Sequence, residues 1–109
     1  MKFSEIRKEL GAIVFEKLRV DSENYFEAVI AKSELTKLTV ILEKFLGAIR
    51  WPSESPLSLQ IQEAINAFGG VKEGYGQSLY FCNQESETVF AMLWPWEDGW
   101  HTTVKVIQT

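Results

Sequence analysis

The chain is short of the residues that most chemistry needs. Its 109 positions hold one cysteine, Cys82, and one histidine, His101. A single cysteine cannot close an internal disulfide, which points to a reducing compartment and a cytoplasmic protein. One histidine and one cysteine fall short of a four-ligand zinc set. No acidic run has the spacing of a calcium loop. No GxSxG, HExxH or CxxC occurs. No apolar run approaches the ~20 residues that span a bilayer. The opening MKFSEIRKEL carries charges where a secretory signal needs an apolar stretch. These absences predict no metal, no cofactor, no catalytic residue and no membrane partner.

Basic residues are also scarce, above all in the second half. Residues 1–50 carry nine basic and eight acidic side chains, but residues 51–109 carry two, Lys72 and Lys105, against seven acids. Nucleic-acid binding needs a clustered basic patch that displaces counterions. The first half interleaves its signs and the second is acidic, so no nucleic-acid partner is expected.

What remains has an ordinary globular balance, with 46% hydrophobic and 24% charged residues. The length fits one domain that buries its core without a staple. The expected fold class is α+β, a single compact domain over residues 1–109. It has an N-terminal helix and β-hairpin, two central helices and a C-terminal three-stranded antiparallel meander.

Each element has its own signal. In FSEIRKEL, Ser4 reads as an N-cap and Phe3, Ile6 and Leu10 share a face, with Gly11 as the stop. Residues 12–31 read in two ways. Leu10, Ile13, Val14 and Leu18 continue a helical stripe. Two β-rich runs flanking the polar turn DSEN make a hairpin, which the β-formers Ile13, Val14, Phe15, Val29 and Ile30 favour. In SELTKLTVILEKFLG, Ser33 is the expected cap. Leu35, Leu38, Ile41, Leu42 and Phe45 form the stripe, and Gly47 ends it. In SPLSLQIQEAINAFGG, Ser55 is the expected cap, Pro56 the first helical residue and Gly69-Gly70 the stop.

QSLYFC, TVFAMLW and WHTTVKVI read as strands joined by NQESE and EDG. Pairing Cys82 with Thr88, and Trp96 with Trp100, sets a register. Alternation then puts Tyr80, Cys82, Phe90, Met92, Trp94, Trp96, Trp100, Val104 and Val106 on one face. Leu79, Phe81, Val89, Ala91, Leu93, His101, Lys105 and Ile107 take the other. Both faces are apolar, so both are expected to be covered. The two central helices suit one face. The first helix and hairpin, or a second subunit, suit the other.

The stretch WPWEDGW gathers three of the four tryptophans into seven positions. Trp94 continues the buried alternation. Trp96 and Trp100 bracket a turn beyond Pro95, as a cross-strand pair worth ~0.5–1 kcal/mol beyond its area burial. Gly99 is expected in the left-handed region. The stretch has the composition of a protein contact with an acidic rim, but a hairpin tip that closes a core would use the same residues.

The other candidate chemistry has plain structural readings. GGVKEGYG follows a helix and precedes a strand, the reverse of a phosphate loop. Cys82 and His101 fall on opposite faces of strands that are not neighbours, so they make no nucleophile–base pair. Cys82 is expected to be buried and inert. Glu85/Glu87 and Glu97/Asp98 sit near loop tips, where solvent keeps carboxylates ionised. The sequence therefore favours a non-catalytic interaction module and homodimer, with Trp96, Trp100, Trp51 and Tyr80 as contact candidates. The alternative is a binder of a small apolar or aromatic molecule, held between the helices and the Tyr80/Phe90/Trp94 face.

Overall fold

The computed structural model describes residues 2–53, 56–84 and 87–109. Its strands are β1 (Lys17–Asp21), β2 (Tyr25–Ala31), β3 (Ser78–Gln84), β4 (Glu87–Pro95) and β5 (His101–Gln108). All pairings are antiparallel, in the spatial order β1-β2-β5-β4-β3. The helices are α1 (Lys2–Leu10), α2 (Leu35–Leu46) and α3 (Leu59–Asn66). The α+β class holds, and residues 12–31 do contain a hairpin.

The hairpin does more than expected. β2 pairs with β5 over seven residues, so the hairpin widens the meander into a five-stranded sheet. Ile13, Val14 and Phe15 precede β1 rather than belonging to it. Ile13 and Phe15 pack into the core, and Phe15 meets Phe26 edge to face at 5.3 Å.

The covering of the sheet also differs from expectation. α1 and α2 share one face, packing on Phe26, Ala28, Ile30, Tyr80, Val89, Ala91, Leu93, Val104 and Val106. α3 covers the other with the chain that follows it, over Leu79, Phe81, Phe90, Met92 and Ile107. The link between α2 and α3 explains the change of side. It rounds the β3 edge, where the Arg50 and Trp51 N–H groups donate to the Leu79 carbonyl at 2.8 and 3.3 Å. The Leu79 N–H returns a bond to the Trp51 carbonyl at 3.0 Å.

The register differs by one residue in both hairpins. Cys82 faces Val89, and Phe81 rather than Tyr80 faces Phe90. Trp94 faces Thr103, and the Trp96 N–H donates to the His101 carbonyl at 2.8 Å. The two shifts cancel between β3 and β5 but turn β4 over. Phe90, Met92 and Trp94 do share a face, as alternation requires. They share it with Leu79, Phe81 and Ile107, not with Tyr80, Cys82 and Val106.

The helix starts differ as well. Ser4 lies within α1. A single 3-10 turn, Lys32–Glu34, precedes α2, and no side chain caps either. α3 begins later than expected. The Ser58 hydroxyl caps it by accepting the Ile61 N–H at 3.3 Å, while Pro56 and Leu57 remain outside. Ser55 lies outside the described residues. Gly47, Gly69 and Gly70 end their helices at positive φ.

Candidate functional site

The β4–β5 connection projects beyond the sheet. Its loop has four residues, Glu97–Trp100, because the Asp98 carboxylate accepts the N–H groups of Trp100 and His101 at 2.8 and 3.0 Å. The Gly99 N–H closes the turn onto the Trp96 carbonyl at 3.3 Å, and Gly99 sits at φ +69°. The second Asp98 oxygen lies 2.6 Å from His101 Nδ1. The imidazole, followed by the two backbone donors, holds this carboxyl down to about 2. An acid that looked free in the sequence is the brace of the turn.

The three tryptophans of this segment have different tasks. Trp94 is wedged. The Lys105 ammonium lies 3.8 Å above its ring centroid, and Gly69 backs it closely enough that a Cβ there would sit 2.8 Å from Cη2. Its indole N–H is buried with no partner among the described residues. Trp96 lies over β5, donating its indole N–H to the Thr103 hydroxyl at 2.9 Å. His101 stands at 5.0 Å and the Arg19 guanidinium at 5.9 Å from this ring. Trp96 keeps 39% of its surface exposed and Trp100 keeps 54%. The Trp100 carbonyl accepts the Lys32 N–H at 2.8 Å, tying the tip to the segment that leads into α2.

Below the tip, a polar row crosses β1, β2 and β5. Arg19 bonds Glu27 at 3.3 Å, and the Tyr25 hydroxyl donates to Glu27 at 2.6 Å while its ring stacks on Phe68. Burial, then the Glu27 carboxylate, pushes the Tyr25 phenol above its ordinary range. The phenol in turn pulls Glu27 down. Burial lowers Lys105, and Glu27 opposes that shift. Acid–base catalysis needs groups poised near neutrality. Tyr25 and Glu27 are driven the other way, as groups that hold a fold together are.

The remaining candidates separate. Tyr80 is a core residue, 3% exposed on the α1–α2 face. Its ring is enclosed by the core, and the pocket it was to share with Phe90 and Trp94 does not form, because those two occupy the opposite face. Trp51 is half-buried and lines two clefts, one of ≈ 390 Å³ against the segment that leads into β3 and one of ≈ 260 Å³ against α3. Cys82 is not buried but half-buried, and the Lys2 ammonium donates to its sulfur at 3.3 Å from 80 residues away. Cys82 and His101 do lie on opposite faces of strands that are not neighbours. Glu85 lies outside the described residues. No group of three or more His, Cys, Asp or Glu residues could hold a metal among the described residues. No helix there is long and apolar enough to cross a membrane.

Sequence reasoning missed Gly69 and Lys105 as the two sides of the Trp94 wedge. Gly69 looked like a helix stop and nothing more. Lys105 does carry a signal, as a lone lysine between Val104 and Val106 in the central strand. Comparison with known protein families, with curated proteins and with solved structures finds no match to this chain.

Proposed function

We propose that this is a small cytoplasmic, non-catalytic interaction module that acts as a homodimer through the Trp96–Trp100 tip. The observation that carries the reading is two indoles held half in solvent on a braced turn. Exposed tryptophan is costly on a lone surface and is the commonest anchor of a protein contact. A tip fixed by the Asp98 bonds, the Thr103 bond and the Lys32 bond loses little freedom on docking. Glu97 and Asp98 supply an acidic rim, which suits a protein surface and disfavours nucleic acid.

Sedimentation equilibrium at tens of micromolar tests this, since dimerisation follows mass action. The wild type is expected to dimerise. Trp100→Ala should stay folded and raise the dissociation constant, because its ring is the more exposed. Trp96→Ala should do the same with a small loss of thermal stability, since it also gives up the Thr103 bond. A wild type that sediments only as monomer rejects the reading.

One observation favours a second reading. Trp51 divides two clefts that also present Gln62, Asn66, Lys72 and Gln77. An aromatic wall with a few polar groups suits a small apolar or aromatic ligand. Native mass spectrometry of the freshly purified protein would show a bound mass that Trp51→Ala removes.

A further inference from the structure

A second concavity lies on the other layer of the molecule, away from Trp51. The outer sides of α1 and α2 form a groove of ≈ 500 Å³ walled by Ala12, Ile13, Val40 and Ile41. Val40 is 60% exposed, and Val14 nearby is 75% exposed. Lys8 and Lys37 stand on the groove's rim. Glu9, also on the rim, is committed to Lys44 at 2.9 Å. Lys37 touches Glu34 at 3.2 Å but leaves 62% of its side chain in solvent.

We propose that this groove receives the Trp96–Trp100 tip of a second copy of the chain. The inference rests on the homodimer reading and names where each tip is seated. Three observations select this occupant. The tip offers apolar rings that lack cover, and the groove offers apolar walls that lack cover. Asp98 is held by the turn, but Glu97 is free to face the rim lysines Lys8 and Lys37, so the charges match as well as the surfaces. The third is placement. Trp100 is bonded to Lys32, one turn before α2, and Thr36, Lys37 and Val40 follow along α2. Trp100 therefore sits at the groove's end of the molecule, whereas the Trp96 ring lies over Thr103 on the opposite face of the sheet.

That placement of Trp100 suits a two-fold contact. A two-fold contact needs one patch that is its own complement, so each tip enters the partner's groove while its own groove is filled in return. A knob and groove on opposite ends would instead build a ring or an open chain of subunits. The edge strand β1 does not offer the alternative of sheet extension. A bulge at Arg19, between Leu18 and Val20, interrupts its ladder.

The test is sedimentation equilibrium of the full chain at up to about 100 µM, with a thermal melt of each variant as the folding control. Val40→Glu and the pair Lys8→Glu/Lys37→Glu alter exposed side chains, so melts should hardly change. Each is expected to raise the dimer dissociation constant by at least about tenfold, Val40→Glu as a change at the centre of a contact and the lysine pair by turning attraction for Glu97 into repulsion. Adding Glu97→Lys to the double lysine variant should restore most of the affinity. Glu97 is chosen because Asp98 holds the turn.

A wild-type dimer weakened by Trp100→Ala but indifferent to Val40→Glu and to the lysine pair overturns the groove and leaves the homodimer reading standing. Weakening by the lysine pair with no recovery on adding Glu97→Lys overturns the pairing of tip with rim. A wild type that stays monomeric at the highest concentration overturns both.

Discussion

The two faces of the sheet are kept dry by different means. On one, α1 and α2 lay Phe3, Ile6, Leu10, Leu38, Leu42 and Leu46 across the strands. The eight-residue α3 brings only Ile61 and Ile65 fully into the other. Aromatic side chains make up the difference there: Tyr25, Trp51, Phe68, Phe81, Phe90 and Trp94. Beyond the reach of α3, Trp96 lies over Thr103 with Arg19 beside it. A large ring covers sheet that would otherwise need another turn of helix. The cost is polar: an indole N–H on Trp94 without a partner, and a lysine whose charged form burial disfavours.

The contrast is sharpest in core truncations. Phe26→Ala, on the helix-covered face, removes a fully buried ring and should cost about 3–5 kcal/mol. Trp94→Ala should cost less, about 1–3 kcal/mol, because the ring is half-buried and its orphaned N–H leaves with it. Chemical denaturation of both variants measures the gap. Equal losses would mean that the aromatic face is packed as tightly as the helical one.

Gly69→Ala probes the wedge from behind. The residue sits at φ +104°, and a Cβ would meet Trp94 at 2.8 Å. The loss should be about 2–3 kcal/mol, of which about 1–2 is the left-handed backbone and the rest the clash. In a Trp94→Ala background only the backbone part should remain. A double-mutant cycle without that coupling would separate the glycine from the tryptophan.

Gly99→Val is milder. Nothing lies within 4 Å of a Cβ built there, so only the φ of +69° resists it. A loss of about 1–2 kcal/mol in the melt is expected.

The smallest effect is that of pH. Asp98 titrates lower in the folded chain, at about 2, than its ordinary 3.8. A depressed carboxyl stabilises the fold above the unfolded value, and that support fades as pH falls through the folded one. The melting-temperature difference between wild type and Asp98→Asn should therefore be constant above about pH 5 and close between pH 4 and 2. A difference that persists unchanged at pH 2 would show that neutral Asp98 braces the turn equally well.

Much of this fold was legible because the apolar stripes are unambiguous. The Leu38/Leu42 and Ile61/Ile65 faces, the DSEN turn and the three C-terminal strands follow from periodicity and turn chemistry. Strand register did not, for a local reason. β3 runs on through Asn83 and Gln84, polar residues at a sheet corner where no core position selects the phase. At the tip, the side chain of Asp98 sets the loop length, and sequence spacing does not reveal which backbone groups it will bind. The contact candidates fared according to the same rule. Trp96 and Trp100 are exposed as expected, but Trp96 pairs with His101 and not with Trp100 across the turn. Tyr80 depended on the phase of β4 for its company and lost it. Lys2 reached Cys82 only through tertiary structure.

The strand order has a kinetic consequence. β5 is the last strand in the sequence and the third in space, lying between β2 and β4. The hairpins β1–β2 and β3–β4 have no strand-to-strand contact until β5 joins them. Each must present an unpaired apolar edge until then. Pairing β2 with β5 closes a loop of about 70 residues, and such non-local closures place antiparallel proteins among slow two-state folders, on the order of milliseconds to seconds. The same vacancy invites the β5 of a neighbouring chain during crowded refolding. Yield on refolding should therefore fall with protein concentration, even for a molecule whose finished sheet has both outer edges defended.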